Sequence, residues 1–217
     1  MFKKLIVSAG ILFLTVFAYA YDDNDLQIWN TDSEEFAISD NSKITMEEEF
    51  RWGDNAKEFY YHHYDAGLVY SLRKYLNISA GYRHIYELKR DKFKLERAPY
   101  AVAAFSWDIK GFKFEDRNRF EYRHFDYQAD SGRYRNKITI KLPWKLTRLA
   151  IQPFVSDEVF LGFGGVNQFN QNRFSTGLGF NINKGVRAEI YYMLQSSKSA
   201  GLWKGANVLG TKLKIAF

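Results

Sequence analysis

The sequence predicts an all-β protein: an antiparallel transmembrane β-barrel of ten to twelve strands, with twelve preferred, behind an N-terminal signal peptide. Three observations predict it. Polar and apolar residues alternate with period two over most of the chain, aromatic residues gather at the strand ends, and an exported leader opens the sequence.

Residues 1–20 carry Lys3 and Lys4, then an apolar run from Leu5 to Phe17, then Ala18-Tyr19-Ala20, a small-x-small cleavage site. That order is the pattern of a secretory signal peptide. The run falls short of the roughly 20 residues a membrane-spanning helix needs. Residues 21–217 are then the mature barrel, a single domain. Removing the leader takes two lysines and no acid, so the net charge falls from +6 to +4 over 197 residues. So mild an excess, on an exported chain, argues against a nucleic-acid partner. With no cysteine there is no disulfide framework and no thiol site, and no Cys/His spacing suggests zinc. No metal and no cofactor is expected.

The alternation is clearest at 133–142, where Arg133, Arg135, Lys137, Thr139 and Lys141 oppose Tyr134, Asn136, Ile138, Ile140 and Leu142. It recurs at 184–195 and 208–217. Extended to the whole chain, it places strands near 26–39, 43–52, 59–71, 76–88, 98–108, 111–125, 132–142, 149–162, 169–181, 185–197 and 204–217. These are eleven segments. Bacterial barrels have an even number of strands with both termini in the periplasm, so residues 26–39 are expected to divide around "NTDS" to make twelve. Short turns such as "DNS", "RKY" and "NKG" alternate with longer stretches such as "GDNAKE", "KRDKFKLE" and "DYQADSG", as if turns occupied one end and loops the other. Trp107, Trp144, Tyr75 and Phe217 beside the turns, and Trp52, Tyr60, Tyr61 and Trp203 beside the loops, would form two interfacial girdles.

On such a wall the charged side faces the lumen, because charge toward hydrocarbon costs roughly 2 to 4 kcal/mol at the midplane. The basic lumenal residues are then Arg51, Arg83, Arg117, Arg119, Arg123, Arg133, Arg135, Lys137, Arg173, Arg187, Lys212 and Lys214. The acidic ones are Glu47, Glu49, Asp65, Glu87, Glu121 and Glu189. Glu48, Asp116, Asn118, Pro153 and Asp157-Glu158 break the alternation, and β-bulges are expected to absorb them.

The last strand, "NVLGTKLKIAF", carries Gly210, Leu213, Ile215 and Phe217, the pattern of a C-terminal strand read by the barrel-assembly machinery of the outer membrane. Together with "LQIWNTDS", "EEEFR", "RNRFEYR", "RYRNK", "QPFVSDEVF", "NQNR" and "NVLGTKL", the chain from about residue 24 onward resembles the domain of unknown function 2490 family of Gram-negative outer-membrane barrels. The resemblance implies the fold and the outer membrane, and it brings no activity and no functional residue with it.

The functional expectation is a narrow porin-like channel with a mainly basic lumen that passes small anionic solutes. The alternative is a closed barrel plugged by its own salt bridges, acting as a structural or surface-interaction element. A lipid-modifying enzyme is the third reading. It is set aside because His62 and His63 point to opposite faces and neither has a serine two residues away on its face, while His84 and His124 are flanked by aromatics near strand ends. Ser156, beside Asp157 and Glu158, is read as structural, and no catalytic residue is assigned. The partners expected are outer-membrane lipid, lipopolysaccharide, whose phosphates "KRDKFKLE" could touch, and the assembly machinery.

Overall fold

A computed structural model describes residues 23–147, 150–164, 168–199 and 201–217. The signal-peptide segment 1–20 lies outside the described residues. The described chain is eleven strands: β1 (Asp25–Ser39), β2 (Ser42–Gly53), β3 (Glu58–Arg73), β4 (Leu76–Lys89), β5 (Lys92–Ile109), β6 (Phe112–Phe125), β7 (Ser131–Lys141), β8 (Gln152–Phe163), β9 (Gln168–Asn181), β10 (Val186–Ser199) and β11 (Leu202–Ala216). Each pairs with its sequence neighbours, and β1 pairs with β11, so the sheet closes on itself and leaves no open edge.

The count corrects the expectation of twelve. "NTDS" does not divide β1, because Asn30 to Ser33 pair without interruption with Phe50 to Glu47 on β2 and with Thr211 to Lys214 on β11. An odd number of up-and-down strands leaves the first and last running the same way. The closing pair is accordingly parallel while all the others are antiparallel. β1 therefore begins beside Ala206 and β11 ends beside Glu35, at opposite rims.

The expected contrast between turns and loops is also corrected. The first rim holds the β1–β2, β3–β4, β5–β6, β7–β8 and β9–β10 connections, and it includes the longest one, residues 142–151. At the second rim, "KRDKFKLE" is a hairpin and not a loop. Arg90 and Asp91 have φ of 51° and 62° and turn β4 directly into β5, the backbone that a two-residue hairpin turn requires.

Outward positions carry exposed Ile28, Met46, Leu68, Phe120, Ile190 and Leu209, while inward positions carry the charges. Aromatic pairs ring both rims: Phe36 stacks on Phe217 and Trp107 on Phe114 at the first, and Trp52 meets Phe59 and Phe169 meets Trp203 at the second. Tyr60 and Tyr61 leave this ring. A bulge opposite Arg51 and Trp52 leaves Tyr60 unpaired, so both tyrosines turn inward and are buried.

Bulges do not absorb the residues that break the alternation. The β6–β7 and β1–β2 ladders run in register through Asp116, Asn118 and Glu48, which stay on the outer face. There Asn136 Nδ2 donates to Asp116 Oδ1 (2.5 Å), Tyr134 Oη to Asn118 Oδ1 (2.5 Å), and Asn172 Nδ2 to Asp157 Oδ1 (2.9 Å). Asp116, Asn118 and Asp157 thus find hydrogen-bond partners on the outer wall itself. Asp157 faces out and Glu158 faces in, so β8 alternates normally.

Two glycines are set by close approach. A Cβ on Gly81 would overlap the Tyr100 hydroxyl, and one on Gly210 would overlap the Tyr191 ring, so each tyrosine lies flat across a strand that has no side chain there.

The parallel seam is testable because the natural chain has no cysteine. Asn30 and Thr211 are register partners whose side chains lie 3.1 Å apart. The double variant Asn30→Cys/Thr211→Cys should cross-link on oxidation of the folded barrel and change its mobility on non-reducing gels. A twelve-stranded barrel with a divided β1 would leave these thiols apart and uncross-linked.

Candidate functional site

The charged side chains of the interior gather around a few carboxylates, each serving more than one cation. On β8, Glu158 accepts from Arg117 Nη2 (2.9 Å) and Arg135 Nη2 (2.8 Å), with Arg173 at 3.9 Å. On β6, Glu121 accepts from Arg133 Nε (2.5 Å) and Arg135 Nη1 (3.1 Å), with Arg119 at 2.7 Å. Arg135 thus spans two carboxylates. Arg119 also stands 3.7 Å from the Tyr100 ring centroid. Its Nε and Nη2 make no aligned hydrogen bond, so charge and ring contact hold it.

A second cluster joins β2, β3, β4 and β11. Arg83 donates to Asp65 (2.7 Å) and Glu47 (3.1 Å), Tyr100 Oη donates to Asp65 (2.5 Å), and Lys212 Nζ reaches Glu47 (2.8 Å). His63, 1% exposed, lies 3.1 Å from Tyr61 Oη and 3.4 Å from Glu47. Its neighbour His62 faces outward among Phe59, Tyr86 and Phe93. Buried charges in such a space are tolerable only when paired, and removing one partner strands the other.

Toward the second rim the interior closes. The Arg51 guanidinium lies between the rings of Trp29 (3.6 Å) and Tyr61 (3.9 Å) and donates to Glu49 (2.7 Å). Arg173 sits over Trp29 and Phe160, 4.8 Å from each. Tyr60 Oη donates to Gln27 (2.8 Å), which in turn donates to Asp25 (3.0 Å). Trp29, Met193 and Val208 pack together beneath this cap. Above it Glu96 takes both prongs of Arg123 (2.6 and 2.7 Å), and Glu87 meets Lys89 (2.7 Å). In the 126–130 connection, the hydrogen bond with His124 and that from Tyr122 hold the Asp130 carboxyl below its usual range, and burial pushes the Tyr127 hydroxyl up to about 12.

Toward the first rim the interior opens. A cavity of about 660 Å³ at that rim is lined by Lys74, Lys113, Arg117, Lys137, Lys141, Arg187, Lys212 and Lys214 against only Asp108, Glu115 and Glu189. It meets a mid-barrel cavity of about 140 Å³ at Arg117, Lys137, Phe154, Glu189 and Lys212, which line both. Lys141 lies 3.6 Å from Glu189, and Lys43 and Lys214 share Glu35 (2.8 and 2.7 Å). Lys137 and Arg187 make no hydrogen bond and no ion pair among the described residues.

The residues of the terminal pattern lie on β11 and at its end. Gly210 packs beneath Tyr191, Leu213 pairs with Asp32 and Ala188, Ile215 with Glu34 and Val186, and Phe217 stacks on Phe36.

The family described as "Protein of unknown function (DUF2490)" matches residues 26–205. The chain belongs to the DUF2490 family. No curated protein and no solved structure matches it. In this DUF2490 barrel, sequence reasoning missed Glu158, Glu96, Tyr100, His63 and Trp29 as interior residues. Glu158 was readable from the two-residue spacing of Ser156, Glu158 and Phe160. Glu96 was hidden by the loop reading of 89–96. Ser156 itself points inward, 4% exposed, with its hydroxyl unpartnered.

Glu158 is 4% exposed and holds Arg117 and Arg135 together, so Glu158→Gln should lower unfolding stability by about 3–5 kcal/mol, the cost of breaking a buried ion pair. Urea titration in micelles would measure it, and Asp157→Asn on the outer face should change far less.

Proposed function

We propose that the protein is an outer-membrane barrel of a Gram-negative envelope, exported by its leader and inserted by the barrel-assembly machinery. Its interior would be a narrow porin-like path for small anionic solutes. The apolar outer surface and the aromatic ring at each rim support the membrane reading, because they match a hydrocarbon band between two interfaces. Outer-membrane lipid and lipopolysaccharide are then its surroundings.

One observation carries the anion preference: the rim cavity has eight cations and three acids and continues into the mid-barrel cavity. Such a field concentrates anions at the mouth and repels cations. Eleven strands stand between the eight that side chains fill and the sixteen to eighteen that leave a wide channel, so any path is narrow.

The closed-barrel reading is favoured by a different observation. The Trp29–Arg51–Tyr61 stack and the carboxylate-centred arginines wall the mid-barrel cavity on the side of the second rim, with Trp29, Arg51, Arg135 and Glu158 in its lining. A path through it requires that stack to move. No catalytic role is assigned, since no described base lies within hydrogen-bond reach of the Ser156 hydroxyl.

Single-channel recording of the refolded protein in a planar bilayer with a salt gradient separates the two. Small, discrete, anion-preferring steps are expected, and Lys113→Glu with Lys141→Glu should reduce or reverse the preference. Arg51→Ala, which removes the cation between two rings, should raise conductance several-fold. A folded wild type that stays silent, together with a silent Arg51→Ala, would leave the closed barrel as the function.

A further inference from the structure

The inward face of the β6–β7 pair sets like charges opposite one another at three of its five positions from Lys113 to Glu121. Lys113 stands directly opposite Lys141, Arg117 opposite Lys137, and Arg119 opposite Arg135. Directly opposed residues of one face have Cβ atoms about 4.5–5.5 Å apart, and like charges there repel. Arg119 and Arg135 are relieved by Glu121, which lies within reach of both. Arg117 and Lys137 both face Glu158, the register partner of Lys137 on β8, but that carboxylate takes its hydrogen bonds from Arg117 and Arg135, and Lys137 makes no hydrogen bond and no ion pair within 4 Å among the described residues.

This pair, with one carboxylate divided among several cations, sits at the neck where the two cavities meet. Lys212, fixed by Glu47, lines the same neck from β11, so three cations converge there beside Glu189, with Glu158 and Glu47 behind Arg117 and Lys212 and Glu158 shared with Arg135. Arg117 and Lys212 are held in place by ion pairs, and Lys137 has none within 4 Å among the described residues. Preorganised cations with spare N–H groups around a wet cavity are what a multiply charged oxyanion needs.

We propose that the neck is a binding site for a phosphoryl group, bridged between Arg117 and Lys137 with Lys212 as the third contact. The doubly charged tetrahedral group matches three converging cations with more negative charge and more acceptor oxygens than a chloride or a single carboxylate brings. Closer to the rim, Arg187 opposite Lys214 and Lys113 opposite Lys141 continue the basic surface, so a solute with a second anionic group fits better than orthophosphate alone. The site rests on the reading of the interior as anion-attracting, yet it requires no conduction. The phosphoryl group could belong to a free solute or to a lipid headgroup entering from the rim.

The test is isothermal titration calorimetry of the refolded protein in an uncharged maltoside detergent, with inorganic pyrophosphate and orthophosphate as probes at constant ionic strength. Saturable binding near one equivalent is expected, tighter for pyrophosphate. Lys137→Ala and Lys137→Met should each weaken it at least tenfold, and Lys198→Ala, whose amine contacts Gln168 near the second rim, should leave it unchanged. Pyrophosphate should also raise the thermal midpoint of the wild type, a readout that needs no variant to fold. A folded wild type with neither saturable heat nor a shifted midpoint overturns the site, as does a folded Lys137→Ala that binds as tightly as wild type. Binding without conductance would sink the channel and keep the site, and conductance without binding would do the reverse. Phosphatidate in mixed micelles gives the source: competition with pyrophosphate assigns the headgroup, and no competition assigns the free solute.

Discussion

Everything inside this barrel depends on a few carboxylates holding more cations than their number. A closed sheet satisfies its backbone in the wall and leaves the side chains to settle the interior. Here the interior is charged, so its geometry is the geometry of ion pairing. Glu121 and Glu158 tie β6, β7, β8 and β9 through Arg133, Arg135, Arg117 and Arg173, while Glu47 and Asp65 tie β2, β3, β4 and β11 through Arg83 and Lys212. Arg119 lies between the groups, 2.7 Å from Glu121 and 3.6 Å from Asp65. Strands that are not neighbours in the wall are thereby joined across the lumen.

That pairing divides the barrel along its length. Toward the second rim, aromatic rings take over where carboxylates run out: Trp29 and Tyr61 enclose Arg51, and Phe160 and Trp29 flank Arg173. A guanidinium loses little when water is replaced by ring faces, provided a carboxylate such as Glu49 remains beside it. Toward the first rim the acids thin out and the lysines do not, and the space there stays open. One end is thus closed by packing and the other is open with a positive field, an asymmetry that strand order alone would not produce.

Much of the fold was legible in the sequence, because period-two alternation reports the face of each residue directly. The eleven segments, the inward position of Arg117, Arg119, Glu121 and Arg123, and the two aromatic rims all follow from it. What alternation cannot express is register. The bulge that turns Tyr60 and Tyr61 inward, the hairpin at Arg90-Asp91 that places Glu96 inside, and the unbroken ladder that keeps Asp116 and Glu48 outside depend on which residue meets which across a pair.

By itself, then, the sequence determined that this chain is a barrel with charge on one face and apolar residues on the other, since a local pattern is enough to specify a local facing. Only the tertiary structure decided the parity and the parallel seam, for closure is a property of the whole ring of strands. It also decided which cations are paired. Arg135 and Lys137 look equivalent two residues apart on β7, and the register sets Lys137 directly opposite Glu158, yet it is Arg135 that makes the hydrogen bonds to Glu121 and Glu158. The difference comes from the forked guanidinium of Arg135 reaching diagonally to Glu121 on β6 and Glu158 on β8, a contact between three strands that no single strand encodes.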